Sequence, residues 1–367
     1  MISLISLESG IVKQILKKNK NRMDLVVEVD GRKEKAINYI DLTGEVKEND
    51  KVLLNTTAMK LKLGTGGYHF VLHNFCNHDN EKRDVMDGGH IMKLRYTPLQ
   101  FKVFATEEQE SPHHKTFLEF RSLEKMPVIV GSLHSMLLPI STVLKYLRPD
   151  IKIGYIMTDA AALPIALSNT VELLKENHII DKTITIGHAY GGDLECINIY
   201  NALIAAKEIA KLDIVIVTMG PGIVGTGTPF GFTGVEQGVN LDAVELLGGT
   251  PIAVPRISFS DFRSRHRGIS HHSLTVLDKI NRGRSHVIIP ELEDEKKEFL
   301  YKQINNLKIN EKHYIVELNG NIITEALSRY HFTVDTMGRG LEEDLAFFQT
   351  CGAAAQYGLG LLEDRFL

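Results

Sequence analysis

The stretch "FSDFRSRHRGISHH", residues 259–272, places Arg263, Arg265, His266 and Arg267 within five positions and then adds His271 and His272. Guanidinium groups offer forked donors that match carboxylate and phosphate. With Arg256, four of them fall in one short segment, a density that calls for an anion or an acidic partner. Ser270 has the type and place of a helix N-cap, which would put both following histidines in a first turn. The positive end of the helix dipole disfavours imidazolium there, and neutral imidazole is the form needed by a general base or a metal ligand. The competing use of the same residues is an exposed basic loop paired to acids such as Asp261 and Glu245.

A second candidate is the segment "GPGIVGTGTPFGFTG", Gly220 to Gly234, with Gly220, Gly222, Gly225, Thr226, Gly227 and Thr228 as backbone or hydroxyl donors to an anion. Its first glycines match G-x-G-x-x-G, but the context of a dinucleotide site is missing: glycines and prolines continue to Gly234, and Asp242 falls inside a helical pattern. There is no glycine-lysine pair of a Walker loop. Thr233 and Glu236 have the spacing of a capping box at the following helix. A long surface turn is the plain alternative.

Further polar residues stand where apolar runs end: His134 after "PVIVGSL", Asp159 after "IKIGYIMT", and His188 and Asp193 after "TITIG". Asp159, His188, Asp193 and His271 are the candidate acid–base groups, and His134, Asp159, His271 and His272 the candidate ligands of a zinc, manganese or magnesium ion. Each has a structural alternative. Either aspartate could simply cap a helix, and either His134 or His188 could be a satisfied core residue.

What must position these groups is legible in the texture of the chain. Up to about residue 105 short alternating runs are broken by turn residues every ten or so positions, which predicts a small antiparallel barrel or sandwich. The cluster Lys13, Lys17, Lys18, Lys20 and Arg22 reads there as solvated hairpin charge rather than a nucleic-acid contact. Residues 106–126 are polar and unpatterned and read as a linker. From Pro127 to the end, apolar strand-length runs alternate six times with helical patterns, which predicts a mostly parallel, doubly wound, Rossmann-like α/β sheet. Ligands of such sheets collect at the carboxyl ends of the strands, where the polar residues above are concentrated.

Composition sets outer limits. The 367 residues, 43% hydrophobic and 24% charged with a net charge of −4, describe a globular chain with no long-range attraction for nucleic acid or anionic membrane. No apolar run approaches bilayer length and the N-terminus lacks a signal-peptide pattern, so a cytoplasmic protein is expected. Cys76, Cys196 and Cys351 fit no disulfide framework and read as buried thiols.

The motifs "MTDAAALP", "GHAYGGDLE", "GPGIVGTGTPFGFTG" and "RHRGISHHSLTVL", in that order behind a barrel-like region, resemble the bacterial family described as domain of unknown function 3866. The resemblance covers nearly the whole chain. It implies the two-part architecture and a bacterial cytoplasmic origin, and it transfers no catalytic residue.

Two functional readings follow. One is a hydrolase or transferase acting on a small anionic, phosphorylated molecule at the strand ends. The other is a non-catalytic module that binds a nucleotide-like ligand or a protein partner through the N-terminal barrel. The small residues of "CGAAAQYGLGLL" in the last helical pattern suit either a homo-oligomer contact or packing within the domain.

Overall fold

The computed structural model describes residues 4–63, 66–76, 87–161 and 163–363. Two compact units divide between Asp87 and Gly88. In the first, β1 (Leu7–Lys18), β2 (Arg22–Val29), β3 (Arg32–Tyr39), β4 (Lys51–Asn55) and β5 (His69–Asn74) close into a barrel of order β1-β2-β3-β5-β4. All pairs are antiparallel except β3 with β5. Alternation along the strands sends Val12, Leu25, Val27, Val52 and Leu54 into one core. Lys13 and Lys18 of the basic cluster face Glu28 and Glu45 at 3.5 and 2.7 Å.

The second unit begins with a hairpin, β6 (Ile91–Lys93) and β7 (Phe101–Val103). Its main sheet has eight parallel strands: β8 (Pro127–Gly131), β9 (Ile153–Thr158), β10 (Lys182–Ile186), β11 (Leu194–Cys196), β12 (Ile214–Met219), β13 (Thr250–Val254), β16 (His286–Pro290) and β17 (Tyr314–Leu318). Between β13 and β16 lies a two-stranded ribbon, β14 (Ile257–Ser258) with β15 (Gly268–Ile269). The order across the sheet is β11-β10-β9-β12-β8-β13-β16-β17. Every residue of β8, β9 and β12 is buried, as expected of parallel strands covered on both faces.

The expected boundary at 105–126 is corrected, because residues 88–126 belong to the sheet unit. Lys93 is buried with its ammonium on Glu195 (2.6 Å) and the Ala189 carbonyl, and Thr106 donates through both its amide and its hydroxyl to the Glu195 carbonyl. Glu107 accepts from the Ile197 amide at 2.7 Å and from Asn201 at 2.8 Å. Hydrogen bonds rather than apolar periodicity tie this segment down, so its pattern reads as linker. Leu194–Cys196 forms the edge strand β11, and the next helix starts at Ile199. Cys196 and Cys351 are buried, but Cys76 is exposed.

The strand order explains where a site can form. Helices Leu137–Leu147 and Asn169–Glu176, which follow β8 and β9, pack on one face of the sheet together with Ile322–Tyr330 and the C-terminal helix Leu345–Leu362. The chain then returns between β9 and β8, and the helices after β12, β13 and β16 cover the other face. Reversing direction while keeping right-handed crossovers requires that change of face. β8 is therefore flanked by β12 and β13, whose connections leave on the opposite side. That is a topological switch point, where a crevice opens at the carboxyl ends.

The C-terminal helix is buried along most of its length, including Ala353, Ala354 and Ala355. Its backbone meets that of Gly320, where an added Cβ would overlap the Gln349 carbonyl. A Gly320→Ala variant is accordingly expected to lose about 1–3 kcal/mol of stability through overpacking, read as a lowered urea midpoint. An unchanged midpoint would mean the helix can shift away.

Candidate functional site

Three loops meet at the switch point. After β8 come Ser132 and Leu133; after β12 comes the loop to Gly234; after β13 come Arg256, the ribbon and Ser270. A pocket of about 210 Å³ lies among them, lined by Leu133, Ile223, Val224, Gly225, Gly227, Arg256, Arg263, Arg265, His266, His272 and Met337. The chain thus brings both opening motifs to one crevice.

Ser270 is the N-cap of helix His271–Thr275, accepting from the His272 amide. Its hydroxyl also sits 2.8 Å from Nδ1 of His266, so one short side chain fixes both the helix start and a histidine ring. One nitrogen each of His266, His271 and His272 lie within 4.8 Å of one another. The His272 ring stacks on Phe232 at 4.0 Å and faces Gly225. Burial, then the charge of Arg256 and Arg263, hold His266 down to about 3. Burial, then the neighbouring His271 and the arginines, hold His272 down to about 4. His271 is lowered by burial and by Arg265 and Arg263. All three are neutral imidazoles at physiological pH.

The arginines are partly compensated, as the bland reading of this loop required. Buried Asp261 accepts from Arg256 (2.7 Å) and twice from Arg263 (2.9 Å each), and Arg339 lies 3.9 Å away. The Arg263 hydrogen bonds, more than any other cause, hold the Asp261 carboxyl far below the carboxylate range. Arg339 donates to Asp344 at 2.9 Å, which also accepts from Ser258 at 2.8 Å. Glu245 takes no part; it accepts from the Arg284 amide. Arg265 is exposed and makes no ion pair among the described residues. Three guanidinium groups, those of Arg256, Arg263 and Arg339, therefore share two carboxylates here.

Partners are missing in the same place. Among the described residues, Ser132 Oγ, Arg256 Nε, His271 Nε2, Arg339 Nη2 and Asp344 Oδ1 are five of the seven buried side-chain polar atoms without a hydrogen bond. Buried polar groups are nearly always satisfied, so these atoms are free to bond water, an ion or a bound molecule.

Not every candidate converges. His134 is held by Tyr155 (3.1 Å) and Ser168 (2.7 Å), both ring nitrogens engaged, and burial lowers it to about 4; it is a structural histidine rather than a ligand. Asp159 accepts from the His188 amide at 3.1 Å, and His188 Nδ1 accepts from the Leu94 amide at 3.1 Å. Gly187, at φ +60°, has no side chain to strike the Asp159 carboxylate. This pair is one carboxyl-end loop away and does not line the pocket. Asp193 stands at the amino end of the sheet, bonded to Thr183 and Lys175, because the residues after β10 fold back to start β11. Arg267 lies over Phe299 at 6.0 Å and is absent from the lining. Thr226 and Thr228 bond each other at 2.9 Å, and Thr226 also bonds Gly231. Gly220 and Gly222 precede the lining part of the loop.

Reasoning from sequence missed Arg339, Asp344 and Met337, which arrive from an unpatterned loop far along the chain. It also misread Glu236. No capping box forms; the Glu236 carboxylate accepts from the Thr158 hydroxyl, while Thr233 Oγ1 accepts from the Val224 amide. Burial raises Glu236 to about 7. A carboxylate at the start of a helix after a strand-end loop was the available signal.

A model of one protein family matches residues 35–355. The chain belongs to the DUF3866 family. That family is described as a protein of unknown function, so membership supports the architecture and assigns no residue a role. No curated protein matches the sequence. Among solved structures, the crystal structure of YjeQ from Thermotoga maritima aligns over 76% of this chain and 66% of its own, at 9% identity and a TM-score of 0.15. That overlap is too slight to carry an argument about fold or activity. No helix among the described residues is long and apolar enough to cross a membrane.

Proposed function

We propose that unit 88–367 of this DUF3866 protein is an enzyme, a hydrolase or transferase, whose substrate is a small phosphorylated anion held in the switch-point pocket. The observation that carries this reading is the lining itself: Arg256, Arg263 and Arg265 beside His266 and His272. Arginine forks suit a phosphoryl group, and imidazoles kept neutral by burial and by those same charges offer an unprotonated nitrogen beside it. Glu236, near neutrality at the start of the next helix, is a second titrating group close to the strand ends.

Arg265 is the informative residue because its removal strands no buried carboxylate. Against a panel of phosphorylated metabolites, an Arg265→Ala variant is expected to bind its best ligand roughly 10- to 100-fold more weakly, the worth of a charge-assisted hydrogen bond. Calorimetric titration reads this directly. His272→Ala is expected to lose turnover and, with metal ions removed from both proteins by chelator, to bind the ligand within a few-fold of the wild type. Binding by the wild type without turnover of any panel member would favour a non-catalytic module, and failure of every phosphorylated compound to bind would end the proposal.

A further inference from the structure

The histidine cluster has a property the anion pocket alone does not explain. Its three rings bring no carboxylate with them, and His271 Nε2 is buried without a hydrogen bond. Desolvating an imidazole nitrogen with nothing to bond is unfavourable. A metal ion would satisfy it.

We propose that His266, His271 and His272 bind one zinc-type divalent ion at the wall of the pocket that His266 and His272 line, and that this ion and a phosphate in the pocket each raise the affinity of the other. The inference rests on the anion-site reading above and gives it a partner.

Four features support the site. The ligand nitrogens lie within 4.8 Å, against about 3.4 Å between ligands of a tetrahedral ion at zinc–nitrogen distances, so modest side-chain rotation would close the set. Ser270 sits on His266 Nδ1, the kind of outer hydrogen bond that orients a ligating ring and leaves Nε2 to the metal. An all-nitrogen donor set selects zinc, cobalt or nickel over magnesium or manganese. Three protein ligands leave a coordination position open beside the arginines, as in catalytic rather than structural zinc sites.

The coupling follows from charge. Arg256, Arg263 and Arg265 all bear on these histidines, and a bare dication among guanidinium groups is repelled. A phosphate contacting both the ion and the arginines removes that repulsion, and the arginines would in turn be held by an anion already drawn in by the metal. Thermodynamic linkage makes the effect reciprocal.

The test uses the full chain freed of any affinity-tag histidines and stripped with chelator. Micromolar zinc is titrated against a chromogenic competitor, with and without inorganic phosphate, and cobalt is substituted to read coordination from its visible spectrum. One zinc per chain is expected, with affinity rising at least tenfold when phosphate is present. His271→Ala should lose at least 100-fold in zinc affinity, whereas His188→Ala should retain it. A urea melt of each variant separates ligand loss from unfolding, and the cobalt spectrum of the wild type stands without any variant. Failure of the wild type to bind zinc, or equal zinc affinity with and without phosphate, overturns the inference. If the metal-free protein still binds phosphate through its arginines, the anion-site reading survives that failure; if phosphate binds in neither state, both fall.

Discussion

Replacing Asp261 by alanine is expected to destabilise the sheet unit by about 3–5 kcal/mol, the usual consequence of removing one partner from a buried ion pair. Asp261 is buried and is the acceptor for both Arg256 and Arg263, with Arg339 close behind. Without it Arg256, itself 6% exposed, keeps its charge with no carboxylate beside it. Urea denaturation at neutral pH reads the loss. The same experiment carries a functional signal, since an anion entering the pocket would partly replace the missing carboxylate. Phosphate should therefore raise the midpoint of Asp261→Ala more than that of the wild type. A loss below about 1 kcal/mol would show that water reaches these arginines and that the network is a surface feature.

The second large effect is on acid stability, and its sign follows from His134. Burial holds its folded-state value down to about 4, against an unfolded value near 6.5. Between those two pH values the unfolded chain binds a proton that the native state refuses, so stability rises with pH across the window and falls as acid is added. The contribution is fully present above about pH 6.5 and is lost on the way down to about pH 4, amounting to roughly 3 kcal/mol at 1.36 kcal/mol for each pH unit. His313 adds to the slope in the same direction: burial lowers it, its Nδ1 accepts from the Ser285 amide and its Nε2 donates to the Leu277 carbonyl, so the native state needs that ring neutral. Urea midpoints measured from pH 7 to 4.5 should fall steeply in the wild type and less steeply in His134→Gln. Parallel slopes in the two proteins would place the acid sensitivity elsewhere.

Both predictions depend on residues whose types were conspicuous in the sequence but whose roles were not. His134 and Asp261 are cases in point. His134 follows an apolar run and was a candidate ligand, yet Tyr155 from β9 and Ser168 from the following loop occupy both its nitrogens. Nothing in the spacing of residues 134, 155 and 168 announces that meeting. Asp261 was named only as a possible counter-charge, and the structure makes it the hub of the arginine set. The misread Asp193 shows the reverse error: a polar residue soon after an apolar run was placed at the carboxyl end, although the chain had already turned back to begin β11, beside β10, at the amino end of the sheet.

What the sequence determined by itself was local and periodic. Alternation of period two in the first part and buried apolar runs separated by helical patterns in the second are enough to specify a small barrel or sandwich and a parallel sheet, because alternation suits a half-buried strand and continuous apolar runs a strand covered on both faces. Ser270 likewise capped its helix as its type and place required, since that bond spans two residues. What only the tertiary structure decided was adjacency. The return of β12 between β9 and β8 makes the switch point, joins the loop after Met219 to the arginines after Val254, and admits Arg339 and Asp344 from near the C-terminus. Strand order is set by the packing of whole faces and by crossover handedness, which leave no mark on the residues that end up side by side in the pocket.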